Sequence, residues 1–292
     1  MLSQQTPPET VNQEKQCVKQ LTGVSDVNDV IFNNVGWTSR VYIVGNGQFV
    51  VKFPRDDEVK REYVRELAVL RLLGQIECAV QVPKLRWWHP NNDYLGYEGI
   101  VGDEFAPVAL HTGSSARKAI GRAVGSFLKR LHALNLDSAR VVTVQDEIDE
   151  FQHKYRLSSA VITRDFTGDE QAKLASLIEE ELPRELLRLG ENPALCHGDL
   201  GFWNMILKDD GQIGIVDFGD TGYYDRSKDF MGLRDPELLD AALATYGDNE
   251  VLRRKIALRQ KVLHILDLPF FIGKEDEVGI SKTVSMIKAA IE

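Results

Sequence analysis

Hydrophobic positions fall in short β-rich runs over the first hundred residues and at helical spacing over most of the remainder. The runs DVIFNNV, RVYIV and QFVVKFP are rich in β-branched and aromatic residues and predict three strands. The last two are separated by Gly45-Asn46-Gly47, and Asn-Gly is a strong hairpin signal. Residues 9–21 precede them as a polar helix with Val11, Val18 and Leu21 on one side. In EVKREYVRELAVLRLLG, Val59, Tyr63, Leu67 and Leu70 recur at helical spacing, and Gly74 is placed to close the helix as its C′ residue. VPKLRWW and YLGYEGIVG then read as two more strands around the turn His89-Pro90-Asn91-Asn92.

Beyond Gly102 the balance changes. SSARKAIGRAVGSFLKRLHAL predicts a Ser-capped helix with an Ile120, Val124, Phe127, Leu131 stripe. Gly121 and Gly125, one turn apart, predict close packing of this helix on a neighbour. Helical patterns also cover residues 145–160, 169–189, 236–246, 249–267 and 275–291. One stretch interrupts them: LCHGDLGFWNMILKDDGQIGIVDFGD, residues 195–220, reads as a lone hairpin turned at Asp209-Asp210-Gly211. The expected fold class is α+β. A small antiparallel sheet with one long helix occupies residues 1–100, a short link falls near 97–103, and a larger, mainly helical lobe occupies 101–292. Clefts between lobes are preferred places for ligands.

Composition narrows this picture only at the edges. The 292 residues are 43% hydrophobic and 27% charged, ordinary for a soluble globular chain with a sizeable core. No apolar run approaches the roughly 18 residues of a membrane span, and MLSQQTPPET lacks the basic and apolar regions of a secretory signal. Cys17, Cys78 and Cys196 are odd in number, with no CxxC and no histidine spacing suited to zinc, so a reduced, cytoplasmic protein is expected. A net charge of −9 argues against a nucleic-acid backbone as the main partner and is compatible with a cationic small molecule. A monomer is expected.

The chemistry concentrates in the interrupting hairpin. His197-Gly198-Asp199 is followed five residues after the aspartate by Asn204, and thirteen residues later by Asp217-Phe218-Gly219 at the end of the apolar run IGIV. A hairpin over residues 204–217 brings Asn204 and Asp217 side by side at its open end. Two oxygen ligands with room for waters and phosphate oxygens suit Mg²⁺. Asp199, a third carboxylate nearby and off the metal, is placed to accept a hydroxyl proton. This is the parts list of phosphoryl transfer.

That chemistry requires a strand lysine on the nucleotide phosphates and a helix glutamate to pair with it. Lys52, in Val50-Val51-Lys52-Phe53, supplies the first, and Glu66 the second, with Glu62 one turn earlier as the alternative partner. The loop NNVGWTSR, residues 33–40, lies where a phosphate-covering loop belongs. It has a single glycine, Gly36, and offers Thr38 and Ser39 as further phosphate ligands.

At these residues the chain resembles the aminoglycoside phosphotransferases, a family of protein-kinase-like small-molecule kinases. The likeness rests on SRVYIVGNGQFVVKFPR, RELAVLRLLG, LKRLHAL, CHGDLGFWNMIL, GIVDFGDTGYYDRSKDF and FFIGKE, which run from Ser39 to Glu275. The KFP and VDFGD runs are most similar to the 2″-O-phosphotransferase branch. The resemblance implies a bilobal protein-kinase-like fold and transfer of the γ-phosphoryl of ATP or GTP to a hydroxyl of an aminoglycoside-like antibiotic. The same chemistry on an amino alcohol, a sugar or a macrolide is the alternative. The presence of Lys52, Glu66, Asp199, Asn204 and Asp217 together speaks against a catalytically silent nucleotide-binding module.

By motif match, Asp199 is implied as catalytic base, Asn204 and Asp217 as Mg²⁺ ligands, Lys52 as phosphate ligand and Glu66 as its orienting partner. The purine is expected on the linker backbone at Tyr97, Gly99 and Ile100. Asp229 is implied to support the catalytic loop, and His197 to orient it through hydrogen bonds. A polycationic acceptor needs carboxylates, for which Asp220, Asp225, Asp235, Glu237 and Asp267 are the candidates.

Overall fold

A computed structural model describes residues 6–34, 38–75, 77 and 79–292. The phosphate-loop candidate Gly36 lies outside the described residues. The chain opens with α1 (Pro8–Thr22), followed by strands β1 (Val30–Asn33), β2 (Ser39–Val44) and β3 (Phe49–Pro54), helix α2 (Asp57–Leu73), and strands β4 (Lys84–Trp88) and β5 (Leu95–Glu98). These five strands form one antiparallel sheet in the order β1-β2-β3-β5-β4. Val18 of α1 is fully buried against Val30, Tyr42, Val51 and Phe53, so α1 seals one face of the sheet.

The Asp56 side chain starts α2 by accepting the backbone N–H groups of Glu58 and Val59 at 2.9 and 3.0 Å. Gly74 follows the last helical residue as expected, but it stays right-handed at φ −65° and is not a left-handed C′ glycine. Its N–H simply prolongs the helical bonding to Leu70.

The second lobe runs through β6 (Asp103–Glu104), α3 (Phe105–Val108), α4 (Ser114–Leu131), β7 (Arg140–Val141), α5 (Val144–Leu157), α6 (Ser159–Asp165), α7 (Gly168–Ser176) and α8 (Leu182–Leu189). Strands β8 (Pro193–Cys196), β9 (Met205–Leu207), β10 (Ile213–Ile215) and β11 (Gly222–Asp225) come next, then α9 (Pro236–Tyr246), α10 (Glu250–Gly273) and α11 (Glu277–Ile291). The pattern over 169–189 is one rod in which a π-helical segment, Leu177–Glu181, joins α7 to α8. Helix α10 outruns its expected end at 267 and continues through Pro269 to Gly273, with one N–H donor missing at the proline.

The Ser cap expected for α4 is absent. Gly113 occupies the cap position, and the Ser114 hydroxyl donates to Glu237 at 2.6 Å instead. The close-packing expectation holds. A Cβ on Gly121 would collide with the Leu238 carbonyl, and one on Gly125 with the Ala242 carbonyl, so α4 lies directly against the backbone of α9.

The hairpin is not alone. β9 pairs with both β10 and β6, while β8, β11 and β7 form a separate three-stranded sheet. Gln81 bridges β10 through its N–H to Ile213 O (3.0 Å) and its carbonyl to Ile215 N (2.9 Å), tying the first lobe to the β9–β10 hairpin. One hydrophobic core runs through both lobes, from Leu70, Leu73 and Tyr97 to Phe127, Ile215 and Phe218. A second core unites α5 through α8 with α10 and α11. Beside it, the buried ion pairs Glu147–Arg259 and Asp225–Lys255 clamp α5 and α10 to the loops around β11.

Candidate active site

Lys52 sits on β3 opposite Val41 and Leu95, and its side chain is buried. Its Nζ donates to both oxygens of Glu66, at 3.1 and 3.0 Å, and to Asp217 Oδ1 at 2.9 Å. Burial disfavours the ammonium, but the charges of Asp217 and Glu66 outweigh it and hold the lysine protonated well above the ordinary lysine range. The same ammonium draws the Asp217 carboxyl below the usual carboxylate range. Between the alternatives one turn apart on α2, Glu66 is the partner. Glu62 is half-buried 3.9 Å from Arg65, and burial together with the charge of Asp220 pushes its carboxyl up.

Asp217 adopts φ 64°, a left-handed conformation that aspartate tolerates at modest cost. The backbone is held there from both sides. Val216 N–H donates to Asn204 O at 3.0 Å, and the His197 ring donates from Nε2 to Val216 O at 3.0 Å. The other ring nitrogen accepts the Asp199 N–H at 3.3 Å, and Phe218 packs on the ring with centroids 4.7 Å apart. His197 therefore bridges the loop carrying Asp199 to the strand end carrying Asp217.

Asp229, fully buried, accepts the N–H groups of His197 at 2.8 Å and Gly198 at 2.9 Å. His132 Nε2 donates to the same carboxylate at 3.0 Å, and its Nδ1 accepts the Tyr246 hydroxyl at 2.8 Å. Burial pushes the Asp229 carboxyl up, but the His132 hydrogen bond and the loop amides bring it below its ordinary value. Asp229 thus anchors the backbone at the start of the loop. His132 and Tyr246 extend this anchor, and the sequence does not point to either because nothing local distinguishes them. Gly198 has φ 90°, and a Cβ there would strike the Asp220 carbonyl, so the turn into Asp199 requires glycine.

Asp199 is partly exposed, and its carboxylate meets Asn204. The Asn204 Nδ2 donates to the Asp199 carbonyl at 2.8 Å and to Oδ2 at 2.9 Å. Burial raises the Asp199 carboxyl to about 6, with Asp220 adding to the effect and His197 opposing it. Both side-chain N–H donors of Asn204 are thus engaged, so Oδ1 is the side-chain atom it could offer to a cation. With the Asp217 carboxylate this makes a hard, all-oxygen donor set that fits Mg²⁺.

The remaining candidates divide. Ser39 begins β2 and is buried, sharing a 2.8 Å hydrogen bond with the Tyr63 hydroxyl inside the lobe. Thr38 is exposed, and its carbonyl accepts Arg55 N–H at 3.0 Å. Tyr97 and Ile100 are buried at the lobe junction, while the Gly99 N–H is already given to Gln48 O at 2.9 Å and is not free for a purine.

Of the five acids, only Asp220 stands beside Asp199 and Asp217. Its side chain is 57% exposed and pairs with Arg140 at 2.9 Å. Asp225 is turned inward to Lys255 at 2.6 Å and to the Asn192 N–H at 2.8 Å. Asp235 caps α9 through Leu238 N–H at 2.9 Å and lies 3.4 Å from Arg117. Glu237 binds Ser114, Arg117 and Lys118, and Asp267 lies exposed 3.3 Å from His264. Asp225, Asp235 and Glu237 are thereby engaged in holding the lobe together, and the structure does not bring them to the catalytic loop. Backbone and helix-end donors claimed these carboxylates, which position along the chain does not reveal.

A sheet lobe and a helical lobe, with a lysine, a glutamate and three loop polar residues converging between them, define a kinase-like phosphotransferase. The sequence matches the model of the phosphotransferase enzyme family, APH, over residues 29–258, and the chain belongs to that family. It is 28% identical over 222 residues to an aminoglycoside 3′-phosphotransferase of Escherichia coli, spanning 73% of this chain and 79% of that one. Among solved structures it resembles a gentamicin complex of APH(2″)-IIa (TM-score 0.70, 20% identity, 97% of this chain and 96% of the other). It also resembles a GDP and kanamycin complex of APH(2″)-IIIa (TM-score 0.75, 18% identity, 95% and 98%). Among the described residues no helix is long and apolar enough to cross a membrane.

Proposed function

We propose that this phosphotransferase moves the γ-phosphoryl of ATP or GTP to a hydroxyl of an aminoglycoside-like, cationic acceptor. The observation that carries the reading is the meeting of Lys52 Nζ with Glu66 and Asp217 at 2.9–3.1 Å, across 165 residues of chain, beside the Asp199–Asn204 pair. In this reading residues 1–100 hold the nucleotide and residues 101–292 supply the catalytic loop and the acceptor site. The purine lies against the linker near Tyr97 and Ile100, and Lys52, oriented by Glu66, binds phosphate oxygens. Asn204 and Asp217 hold Mg²⁺, which would neutralise charge on the phosphates when bound.

Asp199 accepts the proton of the attacking hydroxyl, and Asp229 and His197 fix the loop that presents it. A cationic acceptor is favoured by the net charge of −9 and by the exposed Asp220 carboxylate next to Asp199, with Glu62 close by. The named relatives that act on or bind aminoglycosides support the same class.

The test is a coupled nucleotide assay with ATP and GTP against aminoglycosides, macrolides, sugars and choline-like alcohols, with phosphorylated product identified by mass. Turnover on aminoglycosides whose KM rises steeply with added salt is expected, since exposed charges are screened within about 10 Å at 0.1 M. Turnover confined to neutral acceptors would overturn the acceptor assignment.

A further inference from the structure

Trp203 has no role in the scheme above, yet its indole is built into the catalytic loop. It lies in the turn Phe202–Asn204, directly before Asn204. Its neighbours Leu200 and Asn204 are buried and Phe202 packs inward on Phe105 with centroids 5.0 Å apart, whereas Trp203 is 46% exposed. The indole folds back over Gly201 so closely that a Cβ there would overlap its benzene ring. From this position Nε1 donates to Asp199 Oδ2 at 3.2 Å.

Asp199 Oδ2 therefore takes two donors, the Trp203 indole and the Asn204 amide. The other oxygen, Oδ1, is left for an incoming hydroxyl. A hydroxyl that reaches Oδ1 docks on the same carboxylate that the half-exposed indole holds through Oδ2. An indole face attracts ammonium groups and the C–H faces of sugars through its quadrupole, and tryptophan does so more strongly than tyrosine or phenylalanine.

We propose that Trp203 is a wall of the acceptor subsite. Its N–H holds Asp199 with Oδ1 toward the acceptor, and its exposed face packs on the ring carbons and ammonium groups of an amino-sugar substrate. This rests on the phosphotransferase reading above and names a residue that selects the acceptor.

The experiment compares wild type, Trp203→Phe and Trp203→Ala in steady-state kinetics, varying aminoglycoside and nucleotide separately, with melting temperatures recorded. Trp203→Phe keeps an aromatic face and loses the N–H donor, so kcat should fall several-fold with the acceptor KM within about twofold of wild type. Trp203→Ala loses both, so the acceptor KM should rise about tenfold on top of the kcat loss while the nucleotide KM stays unchanged. A half-exposed side chain leaves no core cavity, and an unchanged melting temperature separates this pattern from unfolding.

Trp203→Ala with wild-type kcat and acceptor KM overturns the proposal. So does a variant whose nucleotide and acceptor KM rise together with a lowered melting temperature. A wild type that phosphorylates no aminoglycoside but turns over a neutral acceptor refutes the acceptor reading, and this inference with it.

Discussion

The ammonium of Lys52 lies 2.9 Å from the carboxylate of Asp217, joining the middle of a strand in the first lobe to the hairpin end of the second. Glu66 braces the same nitrogen from α2, so one buried cation meets two carboxylates. Removing the cation leaves both acids facing each other without compensation.

Lys52→Met is expected to lower kcat/KM for nucleotide by at least about a hundredfold, because phosphate loses its charge partner and Asp217 its fixed position. Steady-state kinetics with varied nucleotide check this. Asp217→Ala is expected to abolish Mg²⁺-dependent nucleotide binding, measured by calorimetry with and without the metal. Unchanged Mg·nucleotide affinity would refute a metal role for Asp217.

Asp199→Asn retains the size of the side chain and deletes its basicity. Turnover is expected to fall by about 10²–10⁴, the range for loss of a positioned general base, with nucleotide affinity within a few-fold of wild type. Near-normal turnover in a single-turnover assay would remove Asp199 from that role.

Asp229→Asn places an NH₂ group where the carboxylate accepts three donors, from His197, Gly198 and His132. A stability loss of about 2–4 kcal/mol is expected in chemical denaturation, together with reduced kcat. The sign with pH follows from the lowered Asp229 carboxyl. Its contribution is fully present above the unfolded carboxylate value near 4 and is lost as pH falls through the lower folded value. Wild type and Asp229→Asn should therefore converge in stability in acid, and a constant gap from pH 7 to pH 3 would contradict this account.

Gly125→Ala tests the α4–α9 contact. Alanine is the better helix former by about 1 kcal/mol, so an isolated helix would gain from the change. Here the added methyl meets the Ala242 backbone, and a net loss in melting temperature is expected. Gly168→Ala, at the first position of α7 where a Cβ meets nothing within 4 Å, is the control and should be near neutral or slightly stabilising. Equal effects at both positions would show that the helices separate freely.

Much of this protein is legible in its sequence. The order His197-Gly198-Asp199, Asn204, Asp217 on either side of an Asp-Gly turn points to the chemistry, because hairpin pairing over so short a loop is local and leaves its two ends adjacent. The stripe on α4 and its two glycines likewise foretell a close helix contact, since steric fit follows directly from side-chain size. What stays open along the chain depends on partners distant in sequence. Glu62 and Glu66 share one face of α2, and only the approach of β3 and the hairpin selects Glu66. Ser39 reads as a loop hydroxyl until Tyr63, 24 residues away, turns it inward.

The acids after Asp217 look alike along the chain. Tertiary packing gave Asp225 to Lys255 and Glu237 to Arg117, and set Asp220, exposed and paired with Arg140, beside Asp199. Sequence by itself determined which groups the chain owns and which local elements carry them, because periodicity and turn chemistry act over a few residues. The tertiary structure alone decided which charges are neutralised and which remain available, because desolvation and pairing depend on every element packed around a group.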